Sequence, residues 1–280
     1  GRGKVHFYSE ELNNQSVRLM RLTTELKRAL QKDEYELHNQ PNVCGNTRNI
    51  LGAEALIRWN HPTRGKIHPG MFIEEAENLG LINAIGDWTL EAVYRQLCEW
   101  KRDGHPSVRV SVNICANQIH HEHLVENISA QQTRYDIAGT DLELEFTEGV
   151  LVSNLEKTVE VQESLRALCL TISMDDYGTG NSTLSYMKKL QVDLLKIDRS
   201  FVVDLCSDPA DQAIVKSTIV MARSLGMTVI AEGVEDSGQF ALLSEYGCDQ
   251  IQGYYFSRPL PTSEFVDLLA VGCFELEQLA

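Results

Sequence analysis

The stretch YELHNQPNVCGNTRNILGAEALIRW (35–59) decides the fold. YELHNQPNV (35–43) reads as a strand, CGNTRN (44–49) as its turn and LGAEALIRW (51–59) as a second strand. A parallel crossover needs about a dozen residues or more, so this short connection predicts an antiparallel hairpin. Beyond it the rhythm changes. Strands read at 107–113, 142–147, 169–174, 192–197, 227–232 and 249–252. Helices read at 71–80, 86–102, 121–135, 154–168, 182–189, 210–225, 236–247 and 262–270. Eight strands, the later ones separated by helices, predict an α/β fold: a (β/α)8 barrel with an irregular first hairpin. An open doubly wound sheet is the competing arrangement. The barrel is favoured because polar residues recur after nearly every strand, whereas an open sheet gathers them at one switch point. Upstream, SVRLMRLTTELKRALQ (16–31) places Val17, Met20, Leu26 and Leu30 at helical spacings, which predicts a lead-in helix that a preceding domain could share. HPTRGKIHPG (61–70) reads as a Pro/Gly rim loop.

At 280 residues the chain suits one large domain or two small ones. Its net charge of −15 argues against a broad face for a nucleic acid polymer, though bound metals could still admit an anionic substrate. The seven cysteines are scattered without a CxxC pair, which reads as reduced thiols in a cytoplasmic chain. Cys98 and Cys169 are expected in the core. GRGKVHFYSE (1–10) has no apolar centre, so no signal peptide is expected from it. No apolar run reaches the roughly 20 residues of a membrane span, although a longer parent protein could be membrane-anchored.

The acidic residues carry the chemistry. Glu54, Glu145, the pair Asp175–Asp176 and Glu232 each sit in or just after a short apolar run: LGAEALIRW, LELEFTE, LTISMDD and MTVIAEGVE. A carboxylate beside a buried strand is costly unless something compensates for it. With Asn113 after VRVSVN and Lys196 after VDLLK, they predict one shared site at one end of the sheet. Hard divalent cations are the usual reason to gather so many oxygen ligands. Two such cations and the Lys196 ammonium would balance the five carboxylates, and neutral Asn113 would add an oxygen without more charge. Adjacent Asp175 and Asp176 would point to opposite faces of a strand. The turn YGTG (177–180) just beyond is therefore expected to redirect them, one bridging two ions and the other binding only the second. Two ions about 3.5–4 Å apart polarise a phosphoryl group and activate water. Lys196 could hold that water or offset charge in the transition state. Metal-assisted phosphodiester hydrolysis follows as the reaction class. A glycosidase using two carboxylates is a weaker alternative, because the full ligand set and the lysine exceed what it needs. The histidines of HHEH (120–123) could suggest zinc, but nothing nearby completes a tetrahedral set, and they read as a solvated helix start.

Read together, these residues resemble the EAL family of cyclic di-GMP phosphodiesterases. Glu54-Ala55-Leu56 with Ile57-Arg58-Trp59 matches its signature, and SVNICANQ, EFTE, DDYGTG, KIDRSF, EGVE and QGY follow in register over about residues 25–270. The opening FYSEELN (7–13) resembles the stretch that joins an upstream GGDEF-type domain to an EAL domain. The resemblance implies a lead-in segment over 1–25, a modified TIM barrel with an antiparallel first strand over 26–270, and a tail over 271–280. It implies hydrolysis of cyclic di-GMP to linear pGpG with two Mg²⁺ or Mn²⁺ ions per site, inhibition by Ca²⁺, and a homodimer. It assigns Glu54, Asn113, Glu145 and Asp175 to the first ion, and Asp175, Asp176 and Glu232 to the second. Lys196 would orient the water, Glu232 would be the candidate base, and Glu235 would support Lys196. Gln40, Arg58, Asp198 and Gln252 would contact the dinucleotide, and Glu148 would anchor the loop 177–186. A receptor that holds the dinucleotide without cutting it is the alternative within the family, although no ligand is lost here. Asn39, Cys115, Asn117, Tyr177, Asn181 and Ser257 depart from the common pattern.

Overall fold

The structure is a computed structural model that describes residues 10–119, 121, 123–178 and 184–275. Its ten strands are β1 (Tyr35–Cys44), β2 (Ile50–His61), β3 (Gly65–Ile67), β4 (Arg109–Asn113), β5 (Leu142–Thr147), β6 (Thr171–Tyr177), β7 (Leu194–Ile197), β8 (Thr228–Ala231), β9 (Gln250–Ile251) and β10 (Leu260–Pro261). Strands β2, β4, β5, β6, β7, β8 and β9 run parallel to one another. β1 closes the ring by pairing antiparallel with both β2 and β9. The result is an eight-stranded α/β barrel whose first strand runs against the rest. The hairpin explains this directly. The Cys44–Asn49 connection is too short for a crossover that would return the chain parallel, so β1 and β2 must pair antiparallel.

The eight expected barrel strands are present, and their ends move by at most three residues. Two short strands were not expected. The stretch 61–70 forms a second hairpin, with β3 paired back onto β2 (Trp59 opposite Ile67, His61 opposite Gly65), in place of a bare loop. β10 pairs with His38 and Asn39 of β1. Cys169 is exposed and lies outside the core. It ends the helix Leu155–Ala167 in a left-handed conformation (φ +61°), its N–H donating to the Arg166 carbonyl. Residues 1–9, His120, Thr179–Gly180, Asn181 and the last residues of the tail lie outside the described residues.

Period-two alternation divides each strand. Val110, Val112, Leu144, Phe146, Ile172, Met174, Leu195, Ile197, Val229 and Ala231 are buried in the layer between barrel and helices. The opposite parity puts Glu54, Ser111, Glu143, Glu145, Ser173 and Lys196 inside the ring, all buried. Leu194 and Ile230 share that parity, but the interior is otherwise polar where barrels usually stack branched apolar side chains. A second apolar cluster lies where the helix Glu10–Gln31 meets the β1–β2 hairpin, with Leu26 and Ala29 packed among Tyr35, Ile57, Trp59 and Phe72. That one helix runs through position 25, so the lead-in segment and the barrel share it.

Asn39 has a buried role of its own. Its carboxamide exchanges hydrogen bonds with Gln96 (Nδ2 to Oε1, 3.2 Å; Gln96 Nε2 to Oδ1, 2.9 Å), and Thr262 Oγ1 donates to Gln96 Oε1 at 2.7 Å. The network ties β1 to the helices Ile82–Asp103 and Thr262–Val271 beside Gln40. Asn39→Leu would leave the buried Gln96 Nε2 donor without its acceptor, while Thr262 still donates to Oε1. It should cost about 1–3 kcal/mol of unfolding free energy, read as a lowered urea midpoint at constant slope. An unchanged midpoint would contradict this account.

Candidate functional site

The site is built around one lysine. Lys196 on β7 has no solvent exposure, and its ammonium lies 2.6 Å from Glu232, 2.8 Å from Glu145, 3.6 Å from Asp175 and 3.8 Å from Glu54. The cross-strand register explains the meeting. Glu54 stands opposite Ser111, Asn113 opposite Glu145, and Lys196 opposite Ile230, two residues before Glu232. Glu54 is held from both sides. Asn113 Nδ2 donates to its Oε1 at 2.6 Å and Gln252 Nε2 to its Oε2 at 2.7 Å. Gln252 also donates to Gln40 Oε1 at 3.2 Å, which links β1 to the cage.

Asp175 and Asp176 converge by a different device from the turn expected after the strand. Both lie inside β6, where the register slips between Met174 and Tyr177, so that two residues oppose the single Lys196. This is a bulge, and Asp176 takes its left-handed corner at φ +55°. A non-glycine residue there is strained, and such strain concentrates at functional sites. The bulge re-aims both carboxylates, and oxygens of Asp175, Asp176 and Glu232 lie within 4.8 Å of one another.

The electrostatics of the cage are divided. Burial works against the Lys196 ammonium, but Asp175, Glu145, Glu232 and Glu54 outweigh it and hold the lysine protonated. Burial also pushes Glu54 toward its neutral form, yet Lys196 and the Gln252 and Asn113 amides reverse this and keep it ionised. Glu145 and Glu232 go the other way. Burial raises both against the pull of Lys196, and neighbouring carboxylates add to the rise, with Glu232 at about 8. Asp176 is raised by burial, then by Asp175 and Asp198. One ammonium cannot satisfy this many acids. Glu145 Oε1 is buried with no hydrogen-bond partner, while its other oxygen meets Lys196. Oxygen-only donors, an unpartnered carboxylate oxygen and surplus negative charge fit hard divalent cations. Glu54, Asn113, Glu145, Asp175, Asp176 and Glu232 are the residues that could hold them.

The remaining residues differ in placement. Arg58 is buried and donates to its neighbour's carbonyl, Ile57 O, at 2.9 Å. Gln40 lines a cavity of about 220 Å³ beside the cage and donates to Ser257 O at 3.1 Å. Asp198 accepts from Ser200 N at 3.0 Å, turned toward its own loop. Glu148 is buried and accepts from Gly178 N at 3.4 Å, tying the residue after β6 to the helix Glu148–Ser153. Glu235 does not join Lys196. Its carboxylate pairs with Arg199 Nη2 at 2.7 Å, beyond Gly233, which takes φ +70°. His121 and His123 stack edge to face outside the acidic group. Tyr177 donates to Met221 Sδ, and Cys115 is half-buried with its N–H bonded to Gln118. Two buried or paired groups were not singled out from the sequence. Glu143 lies one layer below Glu145 with Arg109 at 3.7 Å, and Arg199 lines the cavity beside Gln40. For Glu143 the signal was the alternation LELEF, which puts both glutamates on one face.

Residues 23–259 match the EAL domain family. The chain belongs to that family. Cyclic di-GMP phosphodiesterase NbdA of Pseudomonas aeruginosa is 38% identical over 98% of this chain and 35% of its own length. The bifunctional diguanylate cyclase/cyclic di-GMP phosphodiesterase MucR of the same species is 36% identical over 96% of this chain and 39% of its own. The EAL-domain chain therefore spans well under half the length of these relatives. Among solved structures, the PaMucR phosphodiesterase c-di-GMP complex superposes with a TM-score of 0.84 at 38% identity, covering 88% of this chain and 99% of that one.

The cage makes a stability prediction. Lys196→Met removes the buried cation and leaves the acids facing one another. In the presence of a chelator, urea unfolding should show a loss of about 3–5 kcal/mol, the usual cost of removing one partner of a buried ion pair. A loss below about 1 kcal/mol would mean that the carboxylates do not depend on the ammonium.

Proposed function

We propose that this EAL domain hydrolyses cyclic di-GMP to linear pGpG. The observation that carries the reading is the buried lysine ringed by four carboxylates at the barrel mouth, in a chain 38% identical to a phosphodiesterase solved with c-di-GMP. In this reaction water adds to one phosphorus, the bond from phosphorus to the 3′ oxygen breaks, and the product keeps a 5′ phosphate. The cage is flanked by two cavities that share Leu56. One of about 220 Å³ includes Gln40, Glu54 and Gln252; the other, of about 740 Å³, includes Ile57, Asn113 and Asp176. A cyclic dinucleotide, with a base on either side of its ring of two phosphodiesters, suits that layout.

Glu54, Asn113, Glu145 and Asp175 would hold one divalent cation, and Asp175, Asp176 and Glu232 a second, Mg²⁺ or Mn²⁺ by the donor chemistry. Bound there, the cations would polarise the phosphoryl oxygens and activate water. The protein supplies the rest. Lys196, fixed by its carboxylates, offers a rigid donor where negative charge develops on the phosphate. Glu232, 2.6 Å from the Lys196 ammonium, would take the proton of the attacking water once the cations hold it ionised. Gln252 and Asn113 hold Glu54 in one orientation. Arg58 would swing its guanidinium from Ile57 O to the phosphate, and Asp198 would exchange Ser200 for the dinucleotide. Glu148 would keep the residues after β6 in register with the cage. Ca²⁺, which accepts longer and looser coordination, would occupy the same oxygens without the geometry the reaction needs. A homodimer and an upstream sensory or GGDEF-type domain complete the proposal; the bifunctional name of MucR and the greater length of the relatives support the second. No helix among the described residues is long and apolar enough to cross a membrane.

Incubation with cyclic di-GMP and Mg²⁺ should yield pGpG by chromatography, and chelator should stop it. Glu54→Ala should lower kcat by roughly 100-fold or more, the scale of losing a preorganised electrostatic group. Turnover that survives both chelator and Glu54→Ala would overturn the reading. Tight binding without pGpG would make the domain a receptor.

A further inference from the structure

Arg199 and Glu235 form an ion pair in the lining of the smaller cavity. Arg199 Nη2 meets Glu235 Oε1 at 2.7 Å, and both side chains are about half exposed (56% and 46%). The pair is held in place. The stem of Arg199 lies across Gly233, where a Cβ would come 2.2 Å from Arg199 Cγ. Gly233 also has φ +70°, a conformation that other residues rarely adopt. Gly233 follows Glu232 directly, so the residue that lets the arginine lie flat is joined to the cage itself. The same cavity is lined by Gln40, Gln252 and Tyr254.

An exposed ion pair adds little to stability, and neither member touches Lys196. What the two present together is a donor fork beside a carboxylate acceptor. Guanine has the complementary edges: O6 and N7 accept, while N1–H and the 2-amino group donate. Adenine puts an amino donor where guanine has O6, so the same fork would repel it. We propose that Arg199 and Glu235 read the guanine base that occupies the smaller cavity, Arg199 through O6 and N7 and Glu235 through N1–H and the 2-amino group. This rests on the proposed cyclic di-GMP reading and assigns the base specificity of that site to a named pair.

Arg199→Lys tests it. The lysine keeps the aliphatic stem over Gly233 and the charge against Glu235, but loses the planar fork. The probes are linear pGpG and pApA, titrated calorimetrically into the wild-type and variant domains, with thermal melting to confirm that both are folded. The wild type should prefer pGpG, and Arg199→Lys should reduce the pGpG-to-pApA affinity ratio about tenfold, within the range of a bidentate arginine–guanine contact. Glu235→Gln should weaken pGpG binding more than pApA binding. A ratio unchanged in Arg199→Lys, or no preference in the wild type, overturns the assignment and leaves the hydrolysis intact. A wild type that binds no pGpG and cuts no cyclic di-GMP overturns the reading beneath it.

Discussion

The Lys196 ammonium among its four carboxylates is the interaction on which the rest depends. A buried cation of this kind is expensive to desolvate, and it is retained only where several opposite charges face it. The converse holds as well. Glu54, Glu145, Asp175 and Glu232 could not share the mouth of one barrel without a positive charge at their centre. Lys196 does not neutralise them, and that shortfall is useful. Glu145 and Glu232 are pushed toward their protonated forms, and Glu145 retains an unpartnered oxygen. The resting site is thus assembled but short of positive charge, the condition under which divalent cations bind with least rearrangement of the protein.

The bulge in β6 solves a geometric problem that a regular strand cannot. Neighbouring residues on a strand face opposite ways, so Asp175 and Asp176 could not otherwise serve one site. Inserting one residue against Lys196 turns both inward, at the expense of a left-handed aspartate. The strained residue is bracketed by firm structure. Met174 is packed in the core, and Gly178 is tied to buried Glu148. Strain at a functional corner persists when its flanks are over-determined in this way.

The barrel was legible in the sequence because its two determining signals are local. The short link between residues 44 and 49 dictates an antiparallel entry, and the apolar runs mark the later strands. The acidic constellation was legible for the same reason, since each carboxylate sits at a fixed place in its own run. The failures involve relations between runs. A bulge depends on the register of β6 against β7, which neither sequence contains, so a turn at 177–180 was expected to do its work. The partner of Glu235 depends on the backbone at Gly233, and only the folded chain shows that Arg199 lies across it. The hairpin at 61–70 was obscured by its Pro and Gly content, which marks a turn but not the short strand beyond it. The apolar neighbours of Cys169 point to the core, whereas the residue is exposed and ends a helix.

The polar interior also bears on which part of the fold carries its stability. The inner face of this barrel contributes Glu, Ser, Asn and Lys, so the favourable burial of apolar area comes from the outer face of the strands against the helices, and from the Trp59 cluster under the lead-in helix. Those layers are continuous without the cage. Conservative changes to the ligands, such as carboxylate to carboxamide, leave that packing untouched and mainly alter charge. Lys196 is the exception, because its one ammonium balances several acids at once. Trp59 links the two layers: its indole donates to Glu34 at 3.1 Å, its ring lies in the cluster that seats the lead-in helix, and it directly follows Arg58. Any shift of that helix must act on Trp59, one peptide from the arginine proposed to meet the phosphate. The placement of the hairpin therefore does more than close the ring. It sets Arg58, proposed to meet the phosphate, beside the apolar cluster that seats the lead-in helix.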